Sequence, residues 1–519
     1  MPVIMTAVQA VGQLIHNGDK VAIGGFANGL NHPEELLLQI EKSFQDSGSP
    51  NNLTLLYAAG QGDSNEKGLN HLGHEGLVTK VIGGHWGLVP KLQRLAVENK
   101  LAAYNLPQGV ISQMFRDSAA GRPGVITHVG LHTFVDPRLQ GGKLNQKAQE
   151  SGELVHLIQI GGEEKLFYPS LPVDVAIIRA TYADARGNCS FEREGVFGES
   201  VAIAQAARNS GGRVIVQVEK LVESGTLDVR KVRLPGIYVD AVVVAQPQNH
   251  MQSFAVAYDP ALSGEIRVPV DSLKPLPMGI RKIIARRAAM ELAPNMTVNL
   301  GIGMPEGVAA VAAEEQLKEI VLTTEAGAVG GIPANGQSFG ASANVDCLLD
   351  APAQFDFYDG GGLDAAFLGL AQIDAAGNIN VSKFGSRIAG CGGFINITQN
   401  AKKVIFCGTF TTGGLHVHVQ DERLLIQQEG SVRKFVSEVE HITFSADYAV
   451  RQDQPVLYVT ERAVFMLSAK GVELKEIAPG VDLQRDILDQ MDFIPIMNDV
   501  KTMDSRIFRI GKMDLGVRT

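Results

Sequence analysis

The chain has 519 residues with 46 Lys and Arg against 56 Asp and Glu, a formal charge of −10; two domains are expected at this length, and the acidic balance argues against a nucleic-acid surface or a polybasic membrane patch. No apolar run nears the roughly 20 residues needed to span a bilayer, and the start lacks the charged head and long apolar stretch of a signal peptide. The four cysteines (Cys189, Cys347, Cys391, Cys407) are far apart with no CxxC pair, which fits apolar filler roles and a reduced cytoplasm.

In chain order, residues 6–16 and 33–44 read as helices and 20–25 and 53–58 as strands. The Gly- and His-rich stretch 61–90 reads as loop with short elements. Strands are predicted at 173–182 and 214–219, with a helix near 198–208 between them. Five prolines make 246–278 a linker, or an extended crossing segment, between domains spanning 1–245 and 279–519. A helix at 279–293 opens the second domain, and strands follow at 297–301, 319–324, 365–370 and 403–407. Such alternation implies an α/β fold of mostly parallel, open sheets, with ligands beyond the strand carboxyl ends.

An internal repeat refines this. Asp174, Asp184, Gly187 and Asn188 recur 190 positions later as Asp364, Asp374, Gly377 and Asn378, each set closing a buried strand with a D-x-x-G-N turn. Gly24-Gly25-Phe26 corresponds to Gly301-Ile302-Gly303, and Leu53–Gly60 to Ile320–Gly327. In the last pair Ala58 stands opposite Glu325. The chain therefore reads as two related halves of which only the second is armed, the first carrying an insertion over residues 61–165.

Glu325 ends an apolar run and enters the small-residue turn Ala326-Gly327-Ala328, so it can meet a ligand in an open crevice and act as a covalent nucleophile. Gln108, in the Pro/Gly turn Asn105–Gly109, and the donors of Gly392 and Gly393 suit an oxyanion. Gly301-x-Gly303 is a poor dinucleotide fingerprint, because Glu306 replaces its third glycine, and no P-loop is present. His71, His74, Glu75 and His85 lack the helical frame of a metal site, and a loop-lining or surface role suits them better. His416 and His418 share one strand face, expected to be exposed, and Trp86 suits a pocket wall or the core.

Asn17-Gly18 with Gly24-Gly25-Phe26, Asn105–Gly109, Gly301–Glu306, Glu325-Ala326-Gly327, Phe339–Asn344, Asp359–Asp364 and Gly392-Gly393-Phe394 together resemble family I coenzyme A transferases in their fused single-chain form. The likeness is to the bacterial acetate/propionate branch, because Thr324-Glu325-Ala326-Gly327 stands where ketoacid-specific relatives have Ser-Glu-Asn-Gly. It implies two tandem family I domains with the active site between them. It also implies transfer of coenzyme A between short-chain acyl-CoA and a free short-chain carboxylic acid, through a glutamyl-CoA thioester on Glu325. Gln108 and Gly393 would stabilise oxyanions. Gly301, Gly303, Asn344, Gly361, Gly362 and Gly392 would contact the coenzyme, a substrate rather than a resident cofactor. Glu325, with a reference pKa near 4.3, would be ionised at neutral pH without a general base. No metal, nucleic-acid or membrane partner is implied; a homo-oligomer, tetrameric by analogy, is. An acyl-CoA hydrolase or a non-enzymatic metabolite sensor on the same fold are the alternatives.

Overall fold

In the computed structural model, residues 2–269 and 275–515 are described; positions 270–274 of the predicted linker lie outside them. By packing, the chain forms two compact units. The first holds Met1–Val268, Thr324–Asp356 and Gly385–Asn396; the second holds Pro269–Thr323, Phe357–Phe384 and Ile397–Thr519. Two pieces of the second sequence half therefore belong to the first unit, one beginning at Thr324 and one containing Gly392 and Gly393.

The first unit is built on strands in the order Val3–Met5, Ala241–Val244, Arg213–Val222, Val175–Asp184, Lys20–Ile23, Leu53–Tyr57, Val78–Gly83 and Ala102–Asn105. Every neighbouring pair on this path is parallel. Such sheets are buried on both faces, and the near-continuous apolar run of Val175–Ala180, all but sealed from solvent, fits that. Helix Ala7–Leu14 begins at Thr6, whose side chain and that of Gln9 satisfy each other's backbone N–H groups in a capping box. It packs Ala7, Ala10 and Val11 into the apolar core beside Val21, Ile23, Leu36 and Leu55.

The stretch 61–90 holds more than loop. Val78–Gly83 is a full strand beside Leu53–Tyr57, and Ala102–Asn105 extends the sheet by another. The 61–165 region is thus partly sheet, with a small antiparallel layer of Gly124–Thr127, Glu163–Pro169 and His156–Ile160 added to it. Of the cysteines, Cys347 is exposed and is no apolar filler; the other three are buried.

The second unit runs Val321–Thr323, Thr297–Leu300, Ala365–Gly369, Val404–Cys407 and Val456–Val459 in parallel, then turns antiparallel through Ala463–Ser468 and Gly471–Ile477. Helix Ile280–Ala289 lays Ile283, Ile284 and Ala288 against it. Among the described residues no helix is long and apolar enough to cross a membrane.

The repeat holds to the level of single hydrogen bonds. Asp174 accepts from the Lys20 N–H and Asp364 from the Thr297 N–H, each at 2.8 Å. Asp184 and Asp374 each take the backbone and side-chain N–H groups of the Asn four residues on. Gly187 and Gly377 both have positive φ, at 81° and 97°. Strand register repeats as well: Val21 lies beside Val175 and Leu55, and Val298 beside Ala365 and Leu322. Counting three residues beyond Leu55 and Leu322 reaches Ala58 and Glu325, so the two positions are structural equivalents.

Candidate active site

Glu325 sits in a turn that follows strand Val321–Thr323. The Thr324 N–H bonds the Ala328 carbonyl, and the Gly327 N–H bonds that of Thr324, at 2.9 and 3.0 Å. Thr324 Oγ1 donates to the Gly340 carbonyl at 2.9 Å. Gly327 has φ of 109°, a conformation that L side chains rarely adopt, and the Leu349 carbonyl lies where its Cβ would be. The chain therefore turns sharply and leaves Glu325 as the one acid on the bend.

Opposite stands the loop Ala389–Gly393, laced to strand ends of the first sequence half. The Ala389 carbonyl accepts the N–H groups of Trp86 and Gly87 at 2.7 and 2.8 Å. Gly392 donates to the Gly84 carbonyl at 2.7 Å and accepts from the Gln108 N–H at 2.9 Å. Asn105 completes the clamp. Its Oδ1 takes the Cys391 N–H at 3.0 Å, and its Nδ2 donates to the carbonyls of Gly83 and Gly84. The helix Gln108–Ala119 is pinned by the Gly109 N–H on Asn396 Oδ1 at 3.1 Å.

This lacing brings Glu325, Gln108, Gly392 and Gly393 together within the first compact unit. The Gly393 N–H donates to the Glu325 carboxylate. Gln108 is almost fully buried, and its Nε2 has no partner, as a donor awaiting a ligand oxygen would be.

Burial pushes the Glu325 carboxyl up to about 7; the Gly393 N–H pulls it down, and the charge of Glu199 pushes it up. Desolvation therefore works against the ionised form expected of Glu325 at neutral pH, although the residue keeps part of its surface exposed. Glu199 was not foreseen. It precedes helix Ser200–Asn209, is 2% exposed, and accepts from Ser112 Oγ at 2.7 Å. Burial also pushes it up to about 7, with the Ser112 bond opposing and Asp350 assisting. An acid ahead of a helix looks in sequence like an ordinary exposed terminus; only packing reveals its isolation.

The remaining candidates are dispersed. The Asn344 amide bonds the backbone of Val268 in both directions at 2.8 Å and ties two segments together. Gly361 and Gly362 close the end of helix Ala351–Asp359 through bonds to the Tyr358 and Phe357 carbonyls, and belong to the second unit. Gly301 and Gly303 are also in the second unit, in the turn ahead of helix Gly307–Glu314. Among the histidines, His71 lies between the carboxylates of Glu34 and Glu41, and His74 reaches Glu41 at 2.6 Å. His416 and His418 lie exposed on one strand face, and Trp86 is buried in the core.

Residues 4–245 match the family model described as coenzyme A transferase. The chain is 49% identical over 504 residues to the caffeate CoA-transferase of Acetobacterium woodii, covering 96% of this chain and 95% of that one. It is 42% identical over 507 residues to the acetate CoA-transferase YdiF of Escherichia coli strain K12, covering 97% and 95%. A crystal structure of the acyl-CoA transferase YdiF of E. coli O157:H7, a thioester complex with CoA, superposes with a TM-score of 0.93 at 41% identity over 99% of this chain and 97% of that one.

Proposed function

We propose a specific chemistry for this chain on one premise: it belongs to the coenzyme A transferase family. Coenzyme A passes between an acyl-CoA and a free carboxylic acid through a covalent thioester on Glu325. The observation that carries this is the Glu325 carboxylate at the apex of a glycine turn, with the Gly393 N–H on its oxygen.

The ionised Glu325 oxygen attacks the thioester carbonyl carbon, the carbon–sulfur bond breaks, and CoA leaves as thiolate from a mixed anhydride. The thiolate then attacks the glutamyl carbonyl carbon. The carbon–oxygen bond breaks and the first acid departs as carboxylate, leaving glutamyl-CoA. An incoming carboxylate runs the steps backward. In the second step negative charge develops on the glutamyl oxygen, where the Gly393 N–H already points. Binding along the coenzyme remote from sulfur supplies free energy for the anhydride; Gly301, Gly303, Gly361, Gly362 and Asn344 are proposed for that role.

The acids are proposed to be short-chain. Beside the nucleophile, Ala326 packs in a cluster with Phe26, Ala27, Leu30, Ala59 and Ala341. Phe339 stacks on Phe26 with ring centroids 6.2 Å apart. This dense wall supports acetyl and propionyl groups over an aryl acid. A homo-oligomer, tetrameric by family analogy, and a cytoplasmic setting complete the proposal.

The test is intact mass after incubation with acetyl-CoA, then borohydride and peptide mapping. A reduced side chain at position 325 is expected, and Glu325→Gln should carry no adduct and exchange no label. Normal exchange by that variant would refute the nucleophile. A panel from acetate to caffeate reads the acid range; a higher kcat/KM for caffeate than for acetate and propionate would refute the short-chain assignment.

A further inference from the structure

We propose that His85 is a substrate-contacting donor whose Nε2–H bonds the acyl oxygen in the space it shares with the Gln108 amide above Gly392; this rests on the Glu325 chemistry just described.

His85 follows strand Val78–Gly83 and is gripped by its neighbours. The Gly84 carbonyl holds the Gly392 N–H and the Trp86 N–H holds the Ala389 carbonyl, so the backbone of His85 runs alongside the oxyanion loop. Three glycines from separate segments surround the ring. A Cβ at Gly60 would lie 2.5 Å from Nδ1, one at Gly87 would lie 2.9 Å from Cε1, and one at Gly392 would lie 3.8 Å from Cδ2. The first two distances fix the ring by close packing. The third marks open space: beyond its chain neighbours, the Gly392 position has only His85 Cδ2 and Gln108 Oε1, at 3.7 Å, within 4 Å.

Nε2 is bonded to Cε1 and Cδ2, so it lies on the side of Gly87 and Gly392. Nδ1 faces Gly60, sealed from solvent and without a partner. A proton there would be a buried N–H with no acceptor, so the tautomer protonated at Nε2 is favoured. Burial holds the imidazole well below its ordinary value, at about 4, and so neutral at working pH. The Gln108 Nε2 also lacks a partner, and a half-turn of that amide brings it into the same space.

The chemistry asks for such a pair. When Glu325 attacks, charge appears on the acyl oxygen, a different atom from the glutamyl oxygen that Gly393 serves. Two oxygens become anionic at successive steps, and His85 with Gln108 supplies the donors for the first.

The experiment measures how fast the enzyme–CoA adduct forms from acetyl-CoA in a single turnover, by quenched-flow mass analysis. His85→Ala should slow it by about 10²-fold. His85→Gln, whose amide nitrogen can reach the Nε2 position, should recover most of that rate; His85→Asn, whose nitrogen matches Nδ1, should not. Hydroxylamine cleavage of adduct accumulated by longer incubation develops charge only on the glutamyl oxygen, and should keep its wild-type rate in all three. Adduct formation undiminished in His85→Ala, equal rates in the Gln and Asn variants, or equal slowing of hydroxylaminolysis would each overturn the assignment. A wild-type chain that carries no adduct at Glu325 fails the nucleophile itself, and the inference with it.

Discussion

Gly393→Ala puts one methyl group where the nucleophile now lies. A Cβ built on Gly393 falls 2.0 Å from Glu325 Oε2, and 3.2 Å from both Glu325 Cδ and Phe355 Cζ. Comfortable contact needs roughly 3.5 Å, so the carboxylate oxygen must retreat by on the order of 1.5 Å, and the Phe355 ring keeps the methyl from yielding the other way. Displacement of a reacting atom by ~1 Å can lower a rate by about 10²-fold, and the Gly393 N–H would lose its aim at the same time, a loss of similar size. We expect kcat for label exchange between acetyl-CoA and propionate to fall by at least about 10²-fold.

Stability should barely change. Gly393 does not have a positive φ, so Ala is conformationally acceptable there. The gain of about 0.4–1 kcal/mol from a stiffer unfolded chain offsets an off-rotamer Glu325 costing about 0.5–1.5 kcal/mol. Calorimetry alongside kinetics separates the two effects. Activity within threefold of wild type, with the melting temperature unchanged, would refute the claim that Gly393 and the carboxylate are in direct register.

The pH profile of adduct formation should rise through about 7 as Glu325 loses its proton, and Glu199→Gln should move the midpoint down by removing a like charge; a flat profile from pH 5.5 to 8 would contradict this. Because a raised carboxyl stabilises the fold below its unfolded value and loses that contribution as pH rises through about 7, Glu325→Gln should raise the melting temperature more at pH 8 than at pH 5. Gly109→Ala, whose Cβ would overlap the Phe355 ring and lie 2.5 Å from Asn396 Nδ2, should destabilise by about 1–3 kcal/mol in urea denaturation and slow exchange. Arg462→Met should destabilise the second unit by about 3–5 kcal/mol, because it takes the guanidinium from Glu461, fully buried and 2.7 Å away, and from Glu429, leaving the latter only the neutral donors Thr411 Oγ1 and the Gly430 N–H.

Much of the frame was legible because parallel strands buried on both faces leave continuous apolar runs, and because the D-x-x-G-N turn encodes its own hydrogen bonds. The Ala58–Glu325 correspondence needed only an alignment of the halves. Within the stretch 61–90 the strand Val78–Gly83 is hard to read because the adjacent polar pair Thr79-Lys80 breaks its apolar run among flanking glycines and histidines. The packing units were illegible for another reason: a cut at prolines follows the chain, whereas Thr324–Asp356 and Gly385–Asn396 are assigned by what they pack against.

The acid and its donor show where sequence stops. Glu325 could be singled out from its turn, but its carboxyl near 7 arises from burial and from Glu199, far away in sequence, and neither leaves a local pattern. Gly393 could be named as a donor, but what aims it is the lacing of Ala389–Gly393 to Gly84, Trp86, Gly87, Asn105 and Gln108. Those residues belong to the half without a nucleophile. The repeat thus explains a division of labour: at the position equivalent to Glu325 the first half has a small buried Ala58, and its strand ends hold the loop that the acid needs. It follows that a change at Asn105, which touches neither acid nor thioester in this arrangement, would act on the reaction through the position of the Gly393 N–H.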